Sequence, residues 1–328
     1  MHARKNVKST KIPLLTDAIK TAVGQHFREK GHSIQNFTMV PIEKIRSNDP
    51  FRDADEKEKQ LKEHLNKVDL VFEVRDARIP LATSHPYLQK WLKGKRQILV
   101  LNRKDMINVE AYQAWDKKLR SEGKVPWWCD AKAGTGILQI KQAAIRAGQE
   151  LNQRRLDRGM KNRAIRVLTL GFPNVGKSAL INRLVKKKVV SSSRKPGVTR
   201  SLRWVRLGQD LDLLDAPGVL PPRFEDQNAA LKLAICDDIG QAAYDTEQVA
   251  ISLMKLLERL ENIQEAGIKS MCLQNRYGIL VKENIKDKHS WLLSAAERHT
   301  SGDTRRMSQR LLDDFRKNLL GNISLELP

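Results

Sequence analysis

Hydrophobic positions along the chain follow two rhythms. In the first part they come as short blocks. Val68-Asp69-Leu70-Val71-Phe72-Glu73-Val74, Gln97-Ile98-Leu99-Val100-Leu101 and Ile165-Arg166-Val167-Leu168-Thr169-Leu170 are brief, rich in β-branched residues and bounded by polar stretches, and predict buried strands. Val125 to Cys129 predicts a further strand. Leu202 to Leu207 and Leu211 to Leu214 predict a hairpin around Gly208. Gly136 to Leu151 and Lys177 to Lys187 have helical spacing, and Arg75 to Pro86, with two prolines, predicts a loop. Strands alternating with helices imply an α/β domain with a mostly parallel sheet.

After about Ala234 the β rhythm fades and a helical one takes over. Asp245 with Gln248 three residues on predicts a helix start. Val249, Leu253, Leu256, Leu257 and Leu260 then share one face. Met307, Leu311, Phe315 and Leu319 recur every four residues, with Gly321 as the stop. Arg305, Arg306, Arg310, Arg316 and Lys317 decorate that last helix, as solvated or RNA-facing side chains. The expected organisation is a basic extension over 1–50 with a helix around Leu14 to Lys30, an α/β domain over 51–235 and a small α-helical domain over 236–328.

Charge adds a partner to this picture. The 328 residues carry 60 Lys and Arg against 38 Asp and Glu, a formal net charge of +22. From Lys141 to Arg206, 18 Lys and Arg stand against only Glu150 and Asp157. A solvated surface interleaves both signs, so this segment points to a polyanion. At 5% aromatic content a single-strand stacking platform is disfavoured, and folded RNA backbone fits better. No apolar run is long enough to cross a bilayer. Three widely spaced cysteines, Cys129, Cys236 and Cys272, exclude a disulfide scaffold and a CxxC zinc site. The N-terminal 50 residues hold nine Lys or Arg and no continuous apolar core, which excludes a secretory signal and leaves an organellar transit segment open.

The chemistry is carried by five short motifs. Gly171-Phe172-Pro173-Asn174-Val175-Gly176-Lys177-Ser178 matches GxxxxGK[ST] between a strand and a helix, the context that makes it a phosphate loop. Backbone amides there, with Ala179 following, cradle phosphates; Lys177, on a surface loop, places a charge on the β and γ phosphates, and Ser178 offers a hydroxyl to Mg²⁺. Asp215-Ala216-Pro217-Gly218 follows 37 residues after Ser178. Asp215 suits water-mediated Mg²⁺ binding, and the Gly218 amide suits the γ-phosphate. Between them Thr199, within Pro196 to Arg200, suits a switch residue that ligates Mg²⁺ only when the γ-phosphate is present. Asn102-Arg103-Lys104-Asp105 resembles the guanine-reading NKxD motif. Asp105 accepts the guanine N1–H and N2–H donors, which adenine lacks and which argue against an ATP-using kinase. Asn102 ties the base to the phosphate loop, and the stem of Arg103 covers the base. Asp130-Ala131-Lys132 resembles the SAK motif, whose backbone amide reaches guanine O6.

In Ras-like GTPases the phosphate loop comes first and the guanine motifs last. Here the guanine motifs precede it, so the expected fold is a circularly permuted Ras-like P-loop GTPase domain followed by the helical domain. The chain resembles the circularly permuted YlqF/RbgA-type ribosome-assembly GTPases. The matching residues are Glu73 to Pro80, Leu101 to Asp105, Gly171 to Ser178 with Leu180 to Leu184, Pro196 to Arg200, Asp215 to Leu220, and Asp313 to Lys317 with Leu320-Gly321 and Leu325-Glu326. Leu231 to Gly240 resembles the cyanobacterial and plastid branch. The resemblance implies a GTP-hydrolysing assembly factor that acts late in maturation of the large ribosomal subunit precursor. Its helical domain binds ribosomal RNA, and the protein is a monomer without membrane insertion. The compartment expected from it is the chloroplast stroma in a plant or the cytoplasm in a cyanobacterium, with the mitochondrion as alternative.

Two departures bear on hydrolysis. The family's Trp-(Phe/Tyr)-Pro-Gly-His segment, whose His is implicated in catalysis, is replaced by Ser47 to Asp53. The position of the Ras water-orienting Gln holds Val219. Asn174 offers a substitute: in related potassium-stimulated GTPases an Asn here helps hold K⁺ where an arginine finger would place its charge. The catalytic set expected from sequence is Lys177, Asn174, Thr199 and Gly218. The competing expectation is a GTP-regulated RNA-binding module with negligible hydrolysis.

Overall fold

The structure is a computed structural model that describes residues 62–92, 94–190, 203–220, 224, 226–261, 263–269, 271–279 and 288–328. Thr199 with the rest of Pro196 to Arg200, the Ser47 to Asp53 segment, and the helix expected around Leu14 to Lys30 lie outside the described residues.

Six strands form one sheet in the order β3-β2-β1-β4-β6-β5. They are β1 (Leu70–Asp76), β2 (Arg96–Asn102), β3 (Pro126–Trp128), β4 (Ile165–Leu170), β5 (Arg203–Leu207) and β6 (Leu211–Asp215). All neighbours run parallel except the β5–β6 hairpin. β1 lies centrally, paired with β2 from Leu70↔Arg96 and with β4 from Leu70↔Val167. Seven consecutive buried residues in β1 reflect a strand covered on both faces. The strand order reverses between β1 and β4, which puts the crevice for a ligand at their carboxyl ends.

The helices are α1 (Leu88–Leu92), α2 (Val109–Ser121), α3 (Ile137–Leu156), α4 (Lys177–Val185), α5 (Gln227–Cys236), α6 (Thr246–Leu260), α7 (Cys272–Tyr277), α8 (Lys288–Thr300) and α9 (Thr304–Arg316). On one face of the sheet Phe72, Val100, Val167 and Leu213 meet Ile140 of α3 and Leu180 of α4. On the other, Val71, Leu168 and Leu214 meet Leu88 and Trp91 of α1, while Leu99 and Leu101 meet Trp115 and Leu119 of α2. The first apolar cluster continues through Phe172, Leu220 and Leu233 into Leu253, Trp291, Leu311 and Phe315. The C-terminal helices thus share a core with the sheet, and the described residues belong to one compact unit.

Asp245 caps α6 by accepting from the Gln248 amide over 2.9 Å, as its position predicts. Elsewhere the structure corrects the pattern. α3 runs on to Leu156, carrying Arg154 and Arg155 within the helix. α9 stops at Arg316 rather than at Gly321, because Asn318 takes the left-handed conformation (φ 65°), which asparagine tolerates. Leu319 is consequently half exposed, and Leu312 supplies the inward contact. Arg316 is neither solvated nor RNA-facing. It is buried, and donates to the carbonyls of Ile235 and Ala234 and to the Tyr244 hydroxyl, over 2.9, 2.8 and 2.8 Å. It thereby adds a side-chain donor to two carbonyls in the last turn of α5.

The C-terminal segment stitches the parts together. Glu326 accepts from the Leu81 and Ala82 amides over 2.6 and 3.1 Å and from Lys232 of α5 over 3.1 Å. Its own carbonyl accepts from Trp115 Nε1 over 3.1 Å. Among the described residues no helix is long and apolar enough to cross a membrane.

Candidate nucleotide site

The strand β4 delivers Gly171 at φ 154°, where an added Cβ would lie 2.3 Å from the Val74 carbonyl oxygen, so only glycine lets the loop turn off the sheet there. The loop closes at Gly176 (φ 100°), where a Cβ would lie 2.2 Å from Asn102 Nδ2. That close approach is what the base-side loop requires. Asn102 Nδ2 donates to the Val175 carbonyl over 2.9 Å, and Asn102 Oδ1 accepts from the Ala131 amide over 3.0 Å. One buried side chain therefore joins the phosphate loop, the end of β2 and the loop after β3. The Ala131 amide, expected to face guanine O6, is engaged by Asn102 here. Asp130 Oδ1 accepts from the amides of Lys132 and Ala133 over 2.7 and 3.0 Å, so this aspartate turns the loop as a serine would.

Arg103 ties two neighbours together through its guanidinium. It is left-handed (φ 64°), and its guanidinium donates to the Asn174 carbonyl over 2.6 Å and to Asp76 Oδ2 over 2.7 Å. Lys104 Nζ lies 3.8 Å over the Tyr112 ring. Asp105 is exposed at the mouth, and burial first, then Asp130, raises its carboxyl above the ordinary range.

At the phosphate end Lys177 is buried at the start of α4, not on a surface loop. Its ammonium folds back on the carbonyls of Phe172 and Gly171, over 2.7 and 3.1 Å. Burial lowers it to about 8 against the opposing pull of Asp215 and Asp238. Ser178 Oγ donates to Asp215 Oδ2 over 3.3 Å. Asp215 Oδ1 is buried without a hydrogen-bond partner among the described residues, and burial raises this carboxyl. A hydroxyl and a part-satisfied carboxylate side by side form a hard-oxygen donor set that fits Mg²⁺. Gly218 approaches the loop so closely that a Cβ would meet Pro173 N at 2.5 Å. Val219 is buried and donates its amide to the Gly171 carbonyl over 3.3 Å. Its side chain packs with Leu170 and Trp91 in the apolar cluster.

Several contacting residues went unread as site residues in the sequence. Asp76 is fully buried and binds Arg78 as well as Arg103; Arg78 in turn donates to the Cys236 carbonyl over 3.2 Å. Asp238 is fully buried, with Arg103 Nη1 at 3.9 Å, and burial first, then Asp76, pushes it up to about 8. Asn174, itself left-handed (φ 56°), donates from Nδ2 to the Asp237 carbonyl over 2.7 Å. The only trace of this network in the sequence is the density of charge in Glu73-Val-Arg-Asp-Ala-Arg78 inside an otherwise buried strand end.

Residues 166–276 match a family described as 50S ribosome-binding GTPase. The match begins in β4, so the guanine motif at Asn102 lies upstream of it, as a permuted order requires. Ribosome biogenesis GTPase A of Bacillus licheniformis is 33% identical over 82% of this chain and 94% of its own length. Mitochondrial ribosome-associated GTPase 1 of Mus musculus is 29% identical over 82% of this chain and 86% of its own. A GNP-bound YlqF from T. maritima superposes with a TM-score of 0.58 at 21% identity, covering 83% of this chain and 98% of that one, and shares the fold. The permuted motif order, the sheet that unites it and the near full-length relatives lead to one conclusion: this chain belongs to the YlqF/RbgA family of circularly permuted GTPases.

Proposed function

We propose that this chain is a GTP-hydrolysing assembly factor of the large ribosomal subunit that binds ribosomal RNA as a monomer. The observation that carries the nucleotide part is Asn102, whose two amide ends hold the phosphate loop and the loop after β3 together. Guanine would be read by Asp105, with Arg103, Lys104, Ala131 and Lys132 framing the base. Phosphates would lie against the amides of Asn174 to Ala179 and the Lys177 ammonium. Mg²⁺ would be held by Ser178, Asp215 and Thr199, and would offset phosphate charge. The partner reading rests on family membership and on the acid-poor Lys141 to Arg206 segment. Residues 236–328 are the second RNA-contacting part in this reading. The compartment is the one where that ribosome assembles, and the basic N-terminal 50 residues suit an organellar one.

Hydrolysis by the isolated protein would be slow, about 10⁻⁴ to 10⁻³ per second, because Val219 presents no group to orient water. K⁺ held at Asn174 would offset charge developing between the β and γ phosphates. A large-subunit particle would bias the switch residues from Thr199 to Pro222 toward the state competent for hydrolysis, through the helices that share the core with Leu220. Val219, packed away in an apolar cluster, equally favours a GTP-regulated RNA-binding module that scarcely hydrolyses. Turnover measured in matched KCl and NaCl, with and without large subunits, and repeated with Asn174→Ala, separates the two. Stimulation by K⁺ and by the particle supports the enzyme. Equal rates throughout support the binding module.

A further inference from the structure

The sheet has a second built surface away from the nucleotide loops. Pairing places Arg166 of β4, Asp212 of β6 and Arg206 of β5 in one row, and Leu168, Leu214 and Trp204 in the next. Paired residues share a face, so Trp204 and Arg206 project from the same side, ~7 Å apart along the strand. On that side Leu168 and Leu214 are buried by their cluster, whereas Trp204 stays 44% exposed at the sheet edge. The Arg166 guanidinium sits 5.8 Å from the centre of the Trp204 ring. Among the described residues Arg206 has only a 3.6 Å approach to Asp212, with 83% of its side chain exposed, so it can turn to another anion at little cost. Arg163 stands beside them, locked by Asp69 over 2.7 and 2.8 Å. A surface cleft of about 430 Å³ opens between Arg163, Arg166, Arg206, Gln209 and Asp212.

We propose that Arg166, Trp204 and Arg206 form an RNA-docking surface that grips phosphates of a folded RNA and stacks one unpaired base on Trp204. The proposal rests on the RNA-binding reading above and gives it a location. Arginine beside an exposed aromatic ring is the combination that takes a backbone and a splayed base together. An acidic protein surface would use the guanidinium groups but has no need of a half-exposed indole propped by one of them. The second face of this surface is chemical economy of signal: Arg166 lies five residues before Gly171 along β4, ~17 Å away. RNA held there does not compete with nucleotide.

The test uses the full chain and three probes: an RNA hairpin with a single-stranded loop, the same stem as a closed duplex, and polyglutamate. Paired Arg166→Gln and Arg206→Gln substitutions are expected to weaken both RNAs roughly tenfold and to lower the salt slope by about 1.4 to 1.8. Trp204→Leu is expected to weaken the hairpin roughly tenfold and leave the duplex unchanged. Binding of a fluorescent GDP stays at the parent level in every variant and reports an intact fold. Parent-like binding of both RNAs by the variants overturns the proposal, as does polyglutamate displacing RNA at equal charge, which would assign the surface to an acidic protein. If the parent co-sediments with large subunits and the variants do so equally, the surface is wrong and the assembly function stands. If the parent itself binds neither RNA nor subunits, the assembly reading fails first.

Discussion

Arg103 donates to the Asn174 carbonyl over 2.6 Å and so clamps the base-reading loop onto the phosphate loop. A lysine at this position has one point charge to offer. The arginine fork has a second arm, spent on fully buried Asp76 over 2.7 Å, and Asp76 passes the contact through Arg78 to the end of α5. Arg103→Lys is expected to keep the phosphate-loop contact and lose the Asp76 arm, destabilising the fold by about 3 kcal/mol at most because Arg78 still pairs Asp76. Urea unfolding with an unchanged m-value checks this. A variant as stable as the parent would show that the second arm contributes nothing.

Asp105 tests base selection. Asp105→Asn leaves a donor facing the guanine N–H groups, and is expected to cost about 2 to 3 kcal/mol, on the order of 30- to 150-fold in GDP affinity. Titration with a fluorescent GDP reads it directly. Unchanged affinity would remove Asp105 from the guanine site.

Lys177 supplies a pH dependence. Its folded-state value of about 8 lies below the ordinary 10.5, so between these the unfolded chain binds more protons and stability of the nucleotide-free protein rises with pH. Phosphates favour the charged ammonium, so nucleotide binding takes up a proton above about pH 8 and GDP affinity falls as pH rises. Calorimetry in buffers of different ionisation enthalpy measures that uptake. Lys177→Ala is expected to abolish the pH dependence and to lose about 3 kcal/mol of triphosphate binding, with a circular dichroism melt as cooperative as the parent's. Collapse of the melt would instead give this lysine a structural role.

The C-terminal clamp can be cut at one residue. Glu326→Ala leaves the Leu81 and Ala82 amides and the Lys232 ammonium without their shared acceptor. An expected loss of about 1 to 3 kcal/mol follows from leaving the buried Ala82 amide unpaired, with a smaller share from the partly exposed Leu81 amide and Lys232. Thermal denaturation checks it, and a melting temperature like the parent's would contradict the clamp.

Much of this was legible in the sequence because the signals are local. Ile165 to Leu170 is bounded by polar residues and flows into a glycine-rich turn, so both the strand and the phosphate loop could be read from a dozen residues. Asp245 and Gln248 announced a helix start for the same reason. What the sequence hid is what depends on distant partners. Arg316 sits in a row of surface arginines, and nothing local distinguishes the one that turns inward to cap α5. Asp238 and Glu326 are ordinary acids until the fold brings Arg103 and the Leu81 loop to them. The phosphate-loop motif alone puts Lys177 on a surface turn, whereas in the fold it is the buried first residue of α4. Thr199, named on its motif alone, falls outside the described residues.

The central claim is that nucleotide state governs attachment to the large ribosomal subunit. Its most direct measurement is sedimentation of the full chain with purified large subunits in a non-hydrolysable GTP analogue against GDP, at one fixed salt concentration. The account predicts that the protein travels with the particle in the GTP-analogue state, that most of it is released in GDP, and that Asp105→Asn loses the difference. Co-sedimentation that is identical in the two nucleotides, or absent in both, would contradict it.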